Sequence, residues 1–342
     1  MFAVKVKNEF VEQVRKLLTQ KRLVDNTRKF IKVGKFVEIP VRSGNIQDYN
    51  FIKGYEVVLA RQKKIVRFVP KNPFENILQL VNIPDRLKKE LPKKWEKLGD
   101  VLLLKMPPAL ENFENEVAEV YGKVLHAKTV VKYLGIHGAK REASVKKLFG
   151  KSTETVHKEN KIKFKLDVAK IMLSSGNLEE RKRMASISNS NEIVVDMFAG
   201  IGYFSIPLAF YSKPKKILAY EINPIAYKYL CNNIELNKVQ NIVEPWLEDC
   251  LKAKECLADR VIMGYLKDTS FYLPKALRIL KSQGGIIHYH ENCPNELLPE
   301  EFCDKVKSVV EREKKRVKIL KFIKVKSYAP GVTHVVLDLE IK

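Results

Sequence analysis

From residue 191 to residue 291 the chain alternates short apolar runs with loops and stretches of helical spacing. NEIVVDMFAG enters a glycine-containing turn, KILAYEIN is followed by the helical PIAYKYLCNNIELN, and NIVEPWLEDC, DRVIMGY and GGIIHYHE supply three more strands. Strands alternating with helices must lie parallel, because each crossover returns the chain to the same edge of the sheet. Both faces are then covered by helices. KILKFIKVKSYAPGVTHVVLDLEI closes the chain as an antiparallel pair. The fold class expected is α/β, a doubly wound sheet ending in an antiparallel strand and preceded by smaller α+β domains.

Three regions follow from the pattern. In residues 1–65, Phe10, Val11, Val14, Leu17 and Leu18 recur at helical spacing, and 29–41 reads as a hairpin around Gly34. Residues 66–75, RFVPKNPFEN, are proline-punctuated and read as a linker. Residues 76–165 mix a basic stretch (85–98), a buried strand in DVLLLK and an amphipathic helix over 111–125. The Rossmann-like region occupies 166–342.

Charge narrows the partners. Sixty-three Lys+Arg against 40 Asp+Glu give a net charge of +23. Lysine-rich thermophilic surfaces usually balance Lys with Glu, and this one does not, so a polyanion is the expected partner. From Lys123 to Arg183 there are sixteen basic residues against six acidic ones, an RNA-facing surface. No apolar run approaches the ~20 residues of a membrane span, and the N-terminus lacks a signal-peptide core, so a cytoplasmic protein without membrane association is expected. The five cysteines show neither a CxxC pair nor zinc spacing; reduced thiols and no metal are expected. A monomer is expected.

VVDMFAGIGYFSI (194–206) is the sharpest motif. A strand delivers Asp196, and Gly200 and Gly202 let the backbone pass close to a ligand before a helix begins near Phe204. Ser205 stands where a dinucleotide fingerprint would carry its third glycine, so pyrophosphate binding is disfavoured. S-adenosylmethionine, which offers an ammonium and ribose hydroxyls, suits an acid-first loop better. Glu221, 25 residues after Asp196, is placed to accept both ribose hydroxyls. Asp249, at the end of the third strand, is placed to accept from the adenine amino group, with the Cys250 backbone beside it. Each acid alone reads equally as a surface carboxylate; three acids ending three successive strands define a class I adenosylmethionine site. An NAD-dependent dehydrogenase and a non-catalytic RNA-binding protein are the alternatives from other classes.

HKENKIKFKLDVAKIMLSSGNLEERKRM followed by VVDMFAGIGYFSIPLA resembles the archaeal and eukaryotic enzymes that modify guanosine-37 of tRNA. The resemblance is strong over about 120–342 and looser over the first ~65 residues, which are similar to a small domain that grips the tRNA outer corner. One branch methylates N1 of guanosine-37. The other, in wyosine biosynthesis on tRNA-Phe, transfers the 3-amino-3-carboxypropyl group of adenosylmethionine to C7 of 4-demethylwyosine. The methylating branch carries F-S-P-R-L-x-x-E-R before the first strand and Asn-Leu-Pro after the fourth. Here Leu173-Ser174 stands at Phe-Ser, Ser175-Gly176-Asn177 replaces Pro-Arg, Glu180-Arg181 is kept, and Met263-Gly264-Tyr265 replaces Asn-Leu-Pro.

These departures resemble the aminocarboxypropyl branch, as do HYHE (288–291) and YAPGVTHVVLD (328–338). The resemblance implies that Ser174 and Arg181 contact the cofactor, Arg181 on its methionine tail, and that Glu180 is a base removing the C7 proton. Gly264 is expected to clear space for a tricyclic base, Tyr265 to stack on it, and Asn177 to lie at the substrate. Arg141 is a candidate phosphate ligand. His288 and His290 are expected to alternate across the fifth strand, so that one of them faces the cleft. An N1-methyltransferase, or a C7-methyltransferase on the same scaffold, is the alternative within the family.

Overall fold

A computed structural model describes residues 1–52, 55, 57–61, 72–137, 142–173 and 175–342. The chain divides into two compact units, Met1–Pro73 and Phe74–Lys342.

In the first unit the strands β1 (Phe2–Lys7), β2 (Ile31–Val33), β3 (Phe36–Val41) and β4 (Val58–Arg61) form an antiparallel sheet in the order β2-β3-β1-β4. Gly34 turns the β2–β3 hairpin at φ +60°, where a Cβ would be strained. Helix α1 (Val11–Gln20) turns Val14 and Leu18 onto this sheet, and they join Val4, Val6 and Ile39 in a core of the unit's own.

The second unit opens with α2 (Pro73–Leu80) and α3 (Asp85–Lys88). Residues 73–75 therefore begin a helix where a linker was expected; Pro73 takes the first helical position, where its missing N–H costs nothing. A four-stranded sheet follows, β5 (Trp95–Leu98), β6 (Val101–Leu104), β7 (Thr129–His137) and β8 (Glu142–Phe149), in that order. It packs on α4 (Glu114–Val124), whose Val117, Ala118 and Tyr121 are buried. The hairpin β9 (Glu154–Glu159) and β10 (Ile162–Asp167) comes next, then the short helix α5 (Leu178–Met184).

The seven-stranded sheet contains β11 (Ile193–Asp196), β12 (Lys216–Glu221), β13 (Val243–Leu247), β14 (Arg260–Met263), β15 (Gly285–Pro294), β16 (Val317–Ala329) and β17 (Val332–Ile341). Its order is β13-β12-β11-β14-β15-β17-β16. The first five strands are parallel and β17 runs antiparallel to both β15 and β16. Strand order reverses between β11 and β14, the crevice where doubly wound sheets hold ligands. Helices α6 (Ser205–Tyr211) and α7 (Pro224–Leu236) share one core with α5 and the β9–β10 hairpin. Helices α8 (Leu273–Ile279) and α9 (Glu300–Arg312) share another on the opposite face. Among the described residues no helix is long and apolar enough to cross a membrane.

Candidate active site

The turn after β11 is shaped by its own acid. Asp196 is fully buried; its Oδ2 accepts from Ser205 Oγ at 2.5 Å and its Oδ1 from the Phe198 N–H at 3.3 Å. Burial raises its carboxyl to about 6 against these bonds. Gly200 (φ +57°) and Gly202 (φ +97°) adopt left-handed backbone, and a Cβ on Gly202 would come within 2.4 Å of Ile206. The third-glycine position is Ser205, and its hydroxyl is spent on Asp196. From α7, Asn233 donates to the Ile201 carbonyl at 3.1 Å and holds the turn from beneath.

Glu221 ends β12 and accepts from the Gly200 N–H (2.8 Å) and the Asn223 N–H (2.7 Å). Burial raises its pKa, and these donors oppose the shift. Strand β13 ends at Leu247, paired with Glu221 at the end of β12, so Asp249 lies in the turn beyond it rather than at the strand end. Asp249 caps the following turn by accepting from the Leu251 N–H at 2.9 Å. The Cys250 thiol is buried and pushed up to about 12, so it stays protonated. One cleft is lined by Met197 and Phe198, by Tyr220, Glu221 and Ile222, by Glu248, Asp249 and Cys250, and by Tyr272. A pyrophosphate here would meet three carboxylates, whereas hydroxyl, amine and sulfonium groups find acceptors. The acceptor set fits adenosylmethionine and opposes a dinucleotide.

The far side of the cleft begins at the end of β14. A Cβ on Gly264 would approach the Phe204 ring to 2.9 Å, so the glycine lets that ring lie against the strand end. Tyr265 stacks on Phe198 (centroids 5.0 Å apart, 18° between planes), and Tyr272 meets both rings edge-on. One face of Tyr265 is thus already covered by the loop that follows Asp196.

Glu180 and Arg181 are both buried in α5 but point to different partners. Arg181 is bidentate on Glu159 (2.6 and 2.5 Å), which its guanidinium helps hold at about 2 against burial. Glu180 receives Arg183 Nε and Nη2 at 2.9 and 2.8 Å, and burial raises its pKa against that pairing. Arg183 also donates to Asp338 on β17 at 2.7 Å. Ser174 and Arg141 lie outside the described residues.

His288 and His290 do not alternate across the sheet. Residues two apart on a strand share a face, and both rings point to the α5 side at different depths. His288 Nε2 accepts from Arg260 at 2.7 Å, so its Nδ1–H donates to Asp338 at 2.6 Å. His290 pairs with His334 at 3.2 Å and holds Nε2 3.8 Å from Glu180. Arg183, Asp338, His334 and Asn292 join the site without having been expected there. Their signals in the sequence are Arg183 standing three residues after Glu180, one helical turn along, and the YAPGVTHVVLD stretch that carries His334 and Asp338.

Comparison with known proteins assigns the scaffold. The TRM5/TYW2 methyltransferase domain matches residues 155–320, the TYW2 N-terminal domain 74–153 and the tRNA methyltransferase 5 N-terminal domain 3–47. The tRNA(Phe) (4-demethylwyosine(37)-C(7)) aminocarboxypropyltransferase of Pyrococcus horikoshii is 47% identical over 260 residues, covering 76% of this chain and 93% of that protein. The crystal structure of P. horikoshii TYW2 in complex with MeSAdo superposes with a TM-score of 0.72 at 44% identity, covering 78% of this chain and 98% of that one. The tRNA (guanine(37)-N(1))-methyltransferase Trm5b of Pyrococcus abyssi is 33% identical over 343 residues, covering 99% of this chain and 98% of that protein. The chain belongs to the TRM5/TYW2 family of tRNA-modifying enzymes.

Proposed function

We propose that the protein transfers the 3-amino-3-carboxypropyl group of S-adenosylmethionine to C7 of 4-demethylwyosine at position 37 of tRNA-Phe, releasing methylthioadenosine. The observation that carries this reading is the 47% identity to an enzyme of that activity across nearly its whole length. Bound adenosylmethionine supplies an electrophilic carbon on its sulfonium, and the electron pair of the broken C–S bond leaves with methylthioadenosine. Glu221 is assigned to the ribose hydroxyls, Asp249 and Cys250 to the adenine, Asp196 and Gly200 to the shape of the turn that receives the ligand. Ser174 and Arg181 are assigned to the methionine tail, which selects the carbon presented to the acceptor. Glu180 takes the C7 proton as the new C–C bond forms; a buried carboxylate beside Arg183 suits that task. Asn177, Gly264 and Tyr265 face the base, and Arg141 with the basic run 123–183 faces RNA phosphates.

Full-length coverage by the Trm5b relative favours one second reading, methyl transfer to position 37. Two adenosylmethionine preparations, one labelled in the carboxyl carbon and one in the methyl, separate them on 4-demethylwyosine-containing tRNA. Carboxyl label entering the tRNA is expected. Methyl label alone would transfer the assignment to the second reading.

A further inference from the structure

Positive charge is gathered in two stretches of the second unit, and the fold uses them differently. In the run from Lys123 to Arg183 many cations already hold an acid. Lys123 meets Glu119, Lys128 meets Asp100, Lys165 meets Glu154 and Lys170 meets Asp167, all at 2.6–3.6 Å, while Lys132 and Lys146 share Glu114. A lysine in such a pair must release its carboxylate before it can neutralise a phosphate.

The second stretch is 312–326, with eight Lys/Arg against one Asp/Glu. Its acid, Glu313, meets Arg278 from outside the stretch at 3.5 Å. Lys318, Lys321 and Lys324 are exposed on β16 and pair with no acid among the described residues. The acids across the ladder are engaged elsewhere. Glu340, opposite Lys318, meets Lys342 at 3.9 Å, and Asp338, opposite Lys321, meets Arg183 and His288.

Two bulges gather lysines onto one face of this strand. Side chains alternate along a regular strand, so Lys318 and Lys321, three apart, would lie on opposite faces. A bulge between Ile319 and Lys321 sets Lys321 opposite Asp338, on the face that carries Glu340 and Lys318. A second, between Lys324 and Lys326, sets Lys326 opposite His334 on that same face. It is the face turned to α5, since Arg183 reaches Asp338 there. Ile319 and Phe322 take the other face and pack on the core of α8 and α9. Lys318, Lys321 and Lys326 thus form one line about 20 Å long.

The line leads to the cleft. Strands β15 and β16 both run antiparallel to β17, so β16 points toward the strand ends where the cleft opens. Met263 ends β14 level with Tyr289, Leu337 and Phe322. Lys318 and Lys321 lie below that level on the flank of the sheet, and Lys326 and the half-exposed Tyr328 lie beyond it. The turn Ser175–Asn177, which leads into α5, lies against β16. Lysines on an outer strand also repel another strand, but that needs neither a common face nor a course toward the cleft.

We propose that Lys318, Lys321 and Lys326 hold backbone phosphates of the tRNA anticodon arm and that Tyr328 stacks on an unpaired base of its loop, so that β16 guides position 37 into the cleft. The inference rests on the tRNA substrate and not on which group of adenosylmethionine is transferred. Lysines offer point charges with no pattern to match a base edge, so the line supplies affinity and register rather than sequence choice.

The test is fluorescence anisotropy of a labelled, unmodified tRNA-Phe transcript on the full chain, from about 50 to about 200 mM KCl. Replacing Lys318, Lys321 and Lys326 together by Gln is expected to weaken binding at least about tenfold and to lower the slope of log affinity against log salt by about two to three. Tyr328→Ala should weaken binding about tenfold and leave the slope alone. Lys215, Lys228 and Lys238, exposed around α7 on the other half of the sheet, remove the same charge when replaced by Gln and should leave affinity within about twofold. A parental slope in the β16 variant overturns the inference. So does an equal loss in the α7 variant, which would make the effect one of net charge. Self-association of the β16 variant in light scattering, with tRNA affinity retained, would leave the lysines as edge guards and overturns it too. Parental binding by Tyr328→Ala overturns the stacking assignment. Should the triple variant lose its circular dichroism, Lys321→Gln alone is read instead, where a slope lowered by about one supports the inference and an unchanged slope overturns it. Binding of an unmodified transcript requires no transfer, so the identity of the co-product is decided separately.

Discussion

On the cofactor side of the cleft, each acid accepts a backbone N–H from its own or the neighbouring turn, and Asp196 accepts the Ser205 hydroxyl as well. Glu221 accepts from Gly200 and Asn223, Asp249 from Leu251, and Asp196 from Phe198 and Ser205. The acceptor side is held by side chains far apart in sequence: Arg183 bonds Asp338 across 155 positions, and His290 meets His334 across 44. Local backbone donors hold an acid wherever its strand and turn form. A row of side chains from three elements exists only once the whole sheet has assembled. The first side should therefore tolerate loss of one partner as a local change in affinity, and the second should respond as a unit.

Replacing Glu180 by Gln tests this contrast at its largest. It keeps a contact to Arg183 but removes the carboxylate proposed to take the C7 proton, and turnover should fall about a thousandfold with the cofactor still bound. In the parent enzyme, burial lifts the Glu180 pKa and only the ionised form accepts a proton. Turnover should rise with pH through that raised value and then level off, and the pH profile of Glu180→Gln should lack the step. Arg183→Met comes next. Removing one member of a buried ionic chain should destabilise the unit by about 3–5 kcal/mol, seen in denaturant unfolding. Burial pushes the Asp338 carboxyl up, but bonds from His288 and Arg183 outweigh it and hold it at about 2. Its stabilisation is complete above the ordinary value near 4 and is lost as pH falls toward 2, so Asp338→Asn should flatten acid unfolding in that window.

The cofactor side gives the middle of the range. Glu221→Ala should weaken adenosylmethionine about a hundredfold in a calorimetric titration, with unfolding shifted far less than in Arg183→Met. Equal destabilisation by the two would erase the contrast. Gly264→Ala should drive Phe204 toward the acceptor side and raise the KM for tRNA about tenfold, leaving cofactor affinity alone. The smallest effect is expected from deleting residues 1–73, a unit with its own core. The KM for tRNA should rise severalfold and the salt dependence of binding should soften, while cofactor affinity stays fixed.

The same contrast explains what could be read from sequence. Asp196, Gly200, Gly202 and Glu221 are legible because strand, turn and acid are contiguous, and their chemistry follows from the turn they make. The antiparallel pair β16–β17 and the Gly34 hairpin are legible by alternation and by a positive-φ glycine. Asn292 and Asp338 are not: each is one of several polar residues on its strand, and nothing local says what crosses to meet it. Arg183 is hidden in a charged run, EERKR, that reads as solvated surface, yet it lies at the centre of the buried row. The expectation for His288 and His290 fails for a simpler reason, since two residues two apart on a strand lie on one face.

The central claim is that this cleft transfers the larger group from adenosylmethionine. The direct measurement is the nucleoside co-product formed when the purified chain, adenosylmethionine and tRNA-Phe bearing 4-demethylwyosine are incubated together and the supernatant is resolved by mass. Methylthioadenosine in one-to-one proportion with modified tRNA is the predicted result. S-adenosylhomocysteine in that proportion would contradict it.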